Sequence, residues 1–256
     1  LTLIDCGHRH AFAPGRPSRA AGAASLAYLD AAIALWRAGR IQSLVTAPVT
    51  KWAMARVVPR FAGQTEHLAR AMGCRRVLMM FVSDRLRVAL LTRHLPLRRV
   101  PRAITPRLVE AAVRLAAEAL RTYFHVPHPR LAVCGLNPHA GEGARDSEER
   151  RVMEPVLRAL NRQGIACEGP VAADGLFADL RGYDAVVCGY HDQGLIPFKM
   201  AARDRGCQLS VGLPIVRTSP DHGSALDIAG QGRANPGSMR YALRLAAQLV
   251  GQEASS

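Results

Sequence analysis

Lysine is nearly absent from this chain. Of its 34 basic residues, 32 are arginine and only Lys51 and Lys199 are lysine. Aromatic residues are scarce as well, at 5%, which removes the stacking platforms that hold single-stranded nucleic acids. The net charge of +14 is spread evenly as arginine, with no basic helix. It reads as a general preference for arginine rather than a nucleic-acid footprint. A positive field of this kind draws in small anionic substrates. No uncharged apolar run approaches the roughly 18 residues that a membrane helix needs, and no secretory pattern opens the chain. Six cysteines (Cys6, Cys74, Cys134, Cys167, Cys188, Cys207) are scattered without a C-x-x-C pair. Several lie in apolar runs, so buried free thiols in a reducing cytoplasm are expected. A glycine-rich dinucleotide fingerprint is also missing, since Gly230-Gln231-Gly232-Arg233-Ala234-Asn235 fails the G-x-G-x-x-G pattern. Nucleic-acid and membrane partners are therefore not expected, and any dinucleotide must bind in another way.

What is present is enough for a real core: 256 residues, 49% hydrophobic and 21% charged, suited to one large domain or two lobes. Strands are predicted at Leu1–Gly7, Ile41–Ala47, Leu131–Leu136, Ala185–Gly189 and Leu209–Leu213, with a hairpin of Val77–Val82 and Arg87–Thr92 around Ser83-Asp84. Helices are predicted at Arg19–Ala38, capped by Ser18, and at Thr65–Met72, Leu108–Tyr123 and Glu148–Gln163. A last helix is opened by Pro236 and runs to about Val250. Ala11–Ser18 reads as a Pro/Gly loop. The alternation predicts an α/β protein with a mainly parallel sheet covered by helices.

The chemistry concentrates from Tyr190 to Met239, where polar groups alternate with the Gly and Pro of tight loops. Three of nine histidines directly follow strand-like runs: His94 in Thr92-Arg93-His94-Leu95-Pro96-Leu97, His139 in Gly135-Leu136-Asn137-Pro138-His139, and His191 in Tyr190-His191-Asp192-Gln193. Three neutral imidazoles with open positions make a catalytic divalent-metal site. Separations of 45 and 52 positions match no local metal motif, so hydrogen-bonded loop histidines remain the alternative. His8, His10, His125 and His128 read as surface residues, and His222 as a binding or loop-ordering residue. Lys199 and Arg217, with Thr65, could grip a phosphate or carboxylate.

The blocks Val45–Lys51, Gly63-Gln64-Thr65-Glu66, His94-Leu95-Pro96-Leu97, Gly135–Gly143, Gly169–Asp174, Tyr190–Lys199 and Gly212–Met239 resemble the 4-hydroxythreonine-4-phosphate dehydrogenase family of vitamin B6 biosynthesis. They run in that family's order over nearly the whole chain. The resemblance implies an isocitrate/isopropylmalate dehydrogenase-like fold, with residues 1–256 forming one catalytic unit of two α/β lobes around a cleft. It also implies a homodimer with a shared active site, and NAD or NADP as cofactor. A divalent metal (Zn, Mg, Mn or Co) is implied on His94, His139 and His191, the last from the other subunit. Substrate contacts map onto Thr65, Lys199 and Arg217. Asp174 and Lys199 are the candidate catalytic residues, the general base being Asp174 or a metal-bound hydroxide.

The departures from the family pattern are specific. Gln64 stands where the family usually has His, and Gln208 where it has Asn. The loop after His139 is one residue short. The family's N-terminal Gly-Asp-Pro-rich motif is missing, so the chain is expected to lack that segment. The expected reaction is oxidation of 4-phosphohydroxy-L-threonine to a 3-keto acid that decarboxylates to 3-amino-2-oxopropyl phosphate. D-erythronate or D-threonate 4-phosphate is the alternative substrate. An inactive truncated homologue that binds metal or a partner is the alternative of another class. A non-phosphorylated dihydrodiol substrate is disfavoured by Lys199 and Arg217.

Overall fold

A computed structural model describes residues 2–7 and 12–253. In chain order its helices are α1 (Arg19–Arg37), α2 (Lys51–Ala55), α3 (Gln64–Ala71), α4 (Val100–Ala103), α5 (Pro106–Phe124), α6 (Glu154–Arg162), α7 (Ala173–Ala178), α8 (His191–Ala202) and α9 (Gly237–Glu253). The strands are β1 (Ser43–Val45), β2 (Leu78–Ser83), β3 (Arg87–Leu90), β4 (Leu131–Cys134), β5 (Cys167–Val171), β6 (Ala185–Cys188), β7 (Gly206–Val211) and β8 (Val216–Pro220).

Among the described residues these strands form one sheet in the order β1-β8-β7-β2-β3-β6-β4-β5. The sheet is mixed rather than mainly parallel: β8/β7, β7/β2 and β2/β3 are antiparallel. The four remaining pairs are parallel. Part of the difference comes from β8, whose Pro- and Gly-rich surroundings mark a loop in the sequence, and part from β7, which runs antiparallel to β2. β8 turns back beside β7, with Pro214 in the intervening turn and Pro220 at its last position. β5 went unseen for a related reason: it carries Pro170 and is an edge strand, where a missing N–H is tolerated.

Two apolar layers cover the sheet. On one face α5, α6 and α9 bury Val109, Val113, Leu157, Ala242 and Leu249 against Val133, Val187 and Leu209. On the other, α7 and α8 bury Leu176, Leu195 and Phe198 against Phe81, Val88 and Cys134. A helix–sheet–helix sandwich is the expected way to bury both faces of such a sheet. α1 begins as the sequence implies, with the Ser18 hydroxyl accepting from the Ala21 N–H at 3.0 Å.

The predicted first strand does not form. Residues 2–7 are unpaired, and Leu3 is 94% exposed; an apolar run makes a strand only where a neighbour offers its backbone groups. His8, His10 and the first residue of the Ala11–Ser18 loop lie outside the described residues, whereas His125 and His128 are exposed. All six cysteines are free thiols, and Cys134, Cys167, Cys188 and Cys207 are buried.

Candidate active site

Parallel neighbours β3, β6 and β4 end on the same side of the sheet, and each leads into one of the three histidines. Backbone pairing continues past the first two strand ends. Leu91 N–H donates to Cys188 O at 2.8 Å, Thr92 N–H to Gly189 O at 3.1 Å, and the Thr92 hydroxyl to the same oxygen at 2.7 Å. This stitching brings the His94 and His191 rings to 5.9 Å between centroids. Two imidazoles sharing one ion at ~2 Å have ring centres roughly 5–6 Å apart, so the pair has the spacing of two ligands.

The protonation chemistry fits the same use. Burial lowers the His94 pKa from its ordinary value, and the nearby Lys51 ammonium and His191 add to the effect. Lys51 Nζ lies 3.3 Å from His94 Nδ1. A neutral imidazole is the form that ligates. His191 Nδ1 stands 2.6 Å from Asp192 Oδ1, and such a carboxylate orients a ligand histidine through the nitrogen that the metal does not use.

His139 is not gathered with them. Among the described residues no group of three His, Cys, Asp or Glu side chains could hold a metal ion. His139 sits in a turn in which His139, Ala140, Gly141 and Glu142 all have left-handed φ, between 45° and 81°. Its side chain is 69% exposed, with Glu142 at 4.0 Å. The resemblance assigned His191 to the other subunit; in this chain the His191 ring lies beside His94 of the same chain.

Glu149 fixes the His139 loop from below. It is buried, and its Oε1 accepts the Leu136 and Asn137 N–H groups at 2.7 Å each. Oε2 accepts Asn137 Nδ2 at 2.9 Å. Sequence reasoning missed this role, because a Glu in the charged run Glu148-Glu149-Arg150-Arg151 looks like part of a solvated helix face.

The imidazole pair opens onto a cleft of about 720 Å³, lined also by Lys199, Gln208, Asp221 and His222. α8 spans it, carrying His191 in its first turn and Lys199 in its third. Lys199 Nζ donates to the Asp221 carbonyl and stands 2.8 Å from Asp221 Oδ2. Asp221 is held in turn by the Ser238 hydroxyl at 2.9 Å.

Behind the cleft lies Arg217, 2% exposed on β8. Its NH1 is 2.8 Å from Gln208 Oε1, 3.0 Å from Ser210 Oγ and 3.3 Å from Thr65 Oγ1. Its NH2 is 2.6 Å from Thr46 Oγ1 and 3.2 Å from Gln64 Oε1. Desolvation lowers the guanidinium to about 10, with Glu66 opposing. Gln64, Thr65, Gln208 and Arg217 thus form one network, but only Gln208 among them lines the cleft. Asp174 stands apart, exposed in the first turn of α7, which packs against the Pro138–Gly143 turn carrying His139. The expected residues therefore fall into two groups, one around the cleft and one around His139.

A family model described as the pyridoxal phosphate biosynthetic protein PdxA matches residues 1–246. A curated 4-hydroxythreonine-4-phosphate dehydrogenase from Chromobacterium violaceum is 48% identical over 240 residues, covering 93% of this chain and 73% of that protein. The crystal structure of 4-hydroxythreonine-4-phosphate dehydrogenase from Klebsiella pneumoniae is similar with a TM-score of 0.82 and 34% identity. That match covers 93% of this chain and 74% of that one. Isocitrate dehydrogenase from Methylococcus capsulatus shares the fold alone, at 15% identity and a TM-score of 0.51, over 88% of this chain and 72% of that one. The fold is thus the isocitrate dehydrogenase-like α/β fold that the resemblance implied.

Proposed function

The chain belongs to the PdxA family of pyridoxal phosphate biosynthetic proteins, and from that membership we infer that it is an oxidoreductase acting on 4-phosphohydroxy-L-threonine. The reacting carbon loses a hydride and its hydroxyl a proton, giving a 3-keto acid that decarboxylates to 3-amino-2-oxopropyl phosphate. NAD or NADP would supply the hydride acceptor, and a divalent ion (Zn, Mg, Mn or Co) the Lewis-acid polarisation of the reacting oxygen.

The chain's own residues divide the remaining work. His94, His139 and His191 would hold the ion. Lys199 and Gln208 would meet the phosphate away from the reacting carbon and fix the substrate's orientation. Gln64, Thr65 and Arg217 form the wall behind them. Asp174 is the candidate proton acceptor. The whole chain acts as one catalytic unit, its two α/β lobes flanking the cleft. Because His139 and Asp174 stand apart from the cleft group, a homodimer would complete each site with residues from both copies. Ile196 and Met200, 60% and 76% exposed at the cleft mouth, suit burial against a second subunit. No described helix is long and apolar enough to cross a membrane; with six free thiols, a cytoplasmic location is the reading we adopt.

The family match over residues 1–246 carries this reading. Its test is NADH formation by purified protein with NAD, a divalent metal and 4-phosphohydroxy-L-threonine, run beside D-erythronate 4-phosphate. Metal-dependent NADH with the first is expected. One observation favours the second substrate: Gln64 and Gln208, the two departures from the family pattern, both bond Arg217. Turnover of D-erythronate 4-phosphate alone would move the assignment to that sister activity, and silence with both would sink it.

A further inference from the structure

Strand β6 lies between β3 and β4, and all three run parallel. Their chains leave the sheet on different faces. β3 and β4 lead on to α5 and α6, which bury Val109 and Leu157 on one face. β6 leads to α8, which buries Leu195 and Phe198 on the other. Parallel neighbours whose chains part in this way leave a crevice at their C-terminal ends, and β6 has one on each side. His94 and His191 meet across the β3 side. The β4 side is bridged by a single side chain, Gln193.

The regular pairing of β4 with β6 ends at Val133 and Val187. Two residues further on, Gly135 and Gly189 bond to their other neighbours: Gly135 N–H donates to Val171 O at 2.7 Å, and Gly189 O accepts the Thr92 N–H at 3.1 Å. Their remaining groups go to Gln193. Its Oε1 accepts the Gly189 N–H at 2.7 Å, and its Nε2 donates to Gly135 O at 2.7 Å. Only one orientation of the carboxamide satisfies both bonds. It supplies the donor and the acceptor of a peptide group and acts as one more rung between the strands.

Gln193 is the third residue of α8, and the N-cap Tyr190 makes no side-chain cap. From that position a Gln side chain commonly reaches back to the backbone that enters the helix. It stands two residues after His191, so it pins the turn that aims this imidazole. Gly135 in turn lies against the His139 turn, where a Cβ would come within 2.8 Å of Ala140 Cα. We propose that Gln193 is a positioning residue for the ion-binding histidines. By tying the first turn of α8 to the ends of β4 and β6, it keeps His191 on the β3 side, facing His94, and at a fixed place relative to the base of the His139 turn. The inference rests on the ion-binding reading of these histidines given above.

Cobalt(II) affinity of the whole chain, measured by competition with a chromophoric chelator, tests this without any turnover. Gln193→Met keeps the length and loses both hydrogen bonds. It should bind Co(II) about 10–100-fold more weakly, the loss expected when a group that orients a ligand histidine is removed, and its Co(II) absorption bands should shift with the changed geometry. A purely structural role would lower the urea midpoint and leave both readouts of the folded protein unchanged, and that result would overturn the proposal. Should Gln193→Met fail to fold, Gln193→Glu carries the test. It keeps the bond from the Gly189 N–H and sets a carboxylate against Gly135 O. Its added negative charge alone would tighten binding of a cation, so weaker Co(II) binding reports lost geometry, and equal or tighter binding would overturn the proposal. Wild-type protein that binds no Co(II) would refute the ion-binding reading and the proposal together. Tight wild-type binding with unaltered variants would refute the proposal alone.

Discussion

Glu149 shows at the scale of one residue how a loop that breaks backbone rules is kept in place. Non-glycine residues rarely adopt left-handed φ, and consecutive ones are rarer, yet His139, Ala140 and Glu142 all do. The buried Glu149 carboxylate, held by three N–H groups at the loop's entrance, is the compensation. Burial alone would raise its pKa, but the Asn137 backbone and side chain and the Leu136 N–H outweigh burial and leave it below the ordinary 4.5. A folded-state value below the unfolded one adds stability that is complete above the unfolded pKa and is lost as pH falls through the folded one. Glu149→Gln keeps the shape and loses the charge. Urea unfolding at pH 7 should find it about 1–3 kcal/mol less stable than wild type. The gap should narrow as the pH falls below the ordinary carboxylate value, since the protonated carboxyl of Glu149 and the amide of the variant are both uncharged. A gap that stays constant deep into acid would mean that the charge of Glu149 contributes nothing.

Among the elements, α8 forms against its own local sequence preferences. It carries His191 and Lys199, and its buried residues Leu195, Phe198 and Ala202 have helical spacing. That signal was present in the sequence, but Gly194 and Pro197 masked it, because both residues usually end helices. Tertiary packing overrides them. A Cβ at position 194 would come within 2.5 Å of Val88 Cγ1 and 3.1 Å of Cys188 Sγ, so glycine is what lets α8 lie on β3 and β6. Gly194→Ala should lift the helix from the sheet, lower the unfolding free energy by about 1–3 kcal/mol, and raise KM as Lys199 shifts. Unchanged denaturation and KM would mean that the helix yields without cost. α1 and α5 were legible for the opposite reason: long Ala-rich faces follow the capping hydroxyls of Ser18 and Thr105. The edge strand β5 and the polar β8 gave no such pattern. Their formation depends on neighbours far away in the chain.

At the scale of the whole molecule, sheet order decides what the site becomes. Each candidate histidine was legible because it follows an apolar strand, but no spacing could show that β6 lies between β3 and β4. That order makes His94 and His191 neighbours within one chain, whereas the family resemblance pointed to His191 of the other subunit. The buried position of Arg217 was equally invisible, because it depends on β1, β7 and α3 closing around β8. The partition of the histidines predicts a complementation pattern. In a mixed dimer of His94→Ala and His139→Ala chains, one of the two sites receives His94 and His191 from one copy and His139 from the other, all intact. Co-refolding equal amounts gives half mixed dimers by random pairing, each with one good site, so about a quarter of wild-type turnover should return. Mixing His94→Ala with His191→Ala should restore nothing, because every site then takes both residues from one chain and lacks one of them. Recovery in that second mixture would mean that His191 crosses to the partner's site. Failure of both mixtures, with dimers verified by sedimentation, would mean that all three ligands belong to a single chain and that the His139 loop must close onto His94 and His191 within it.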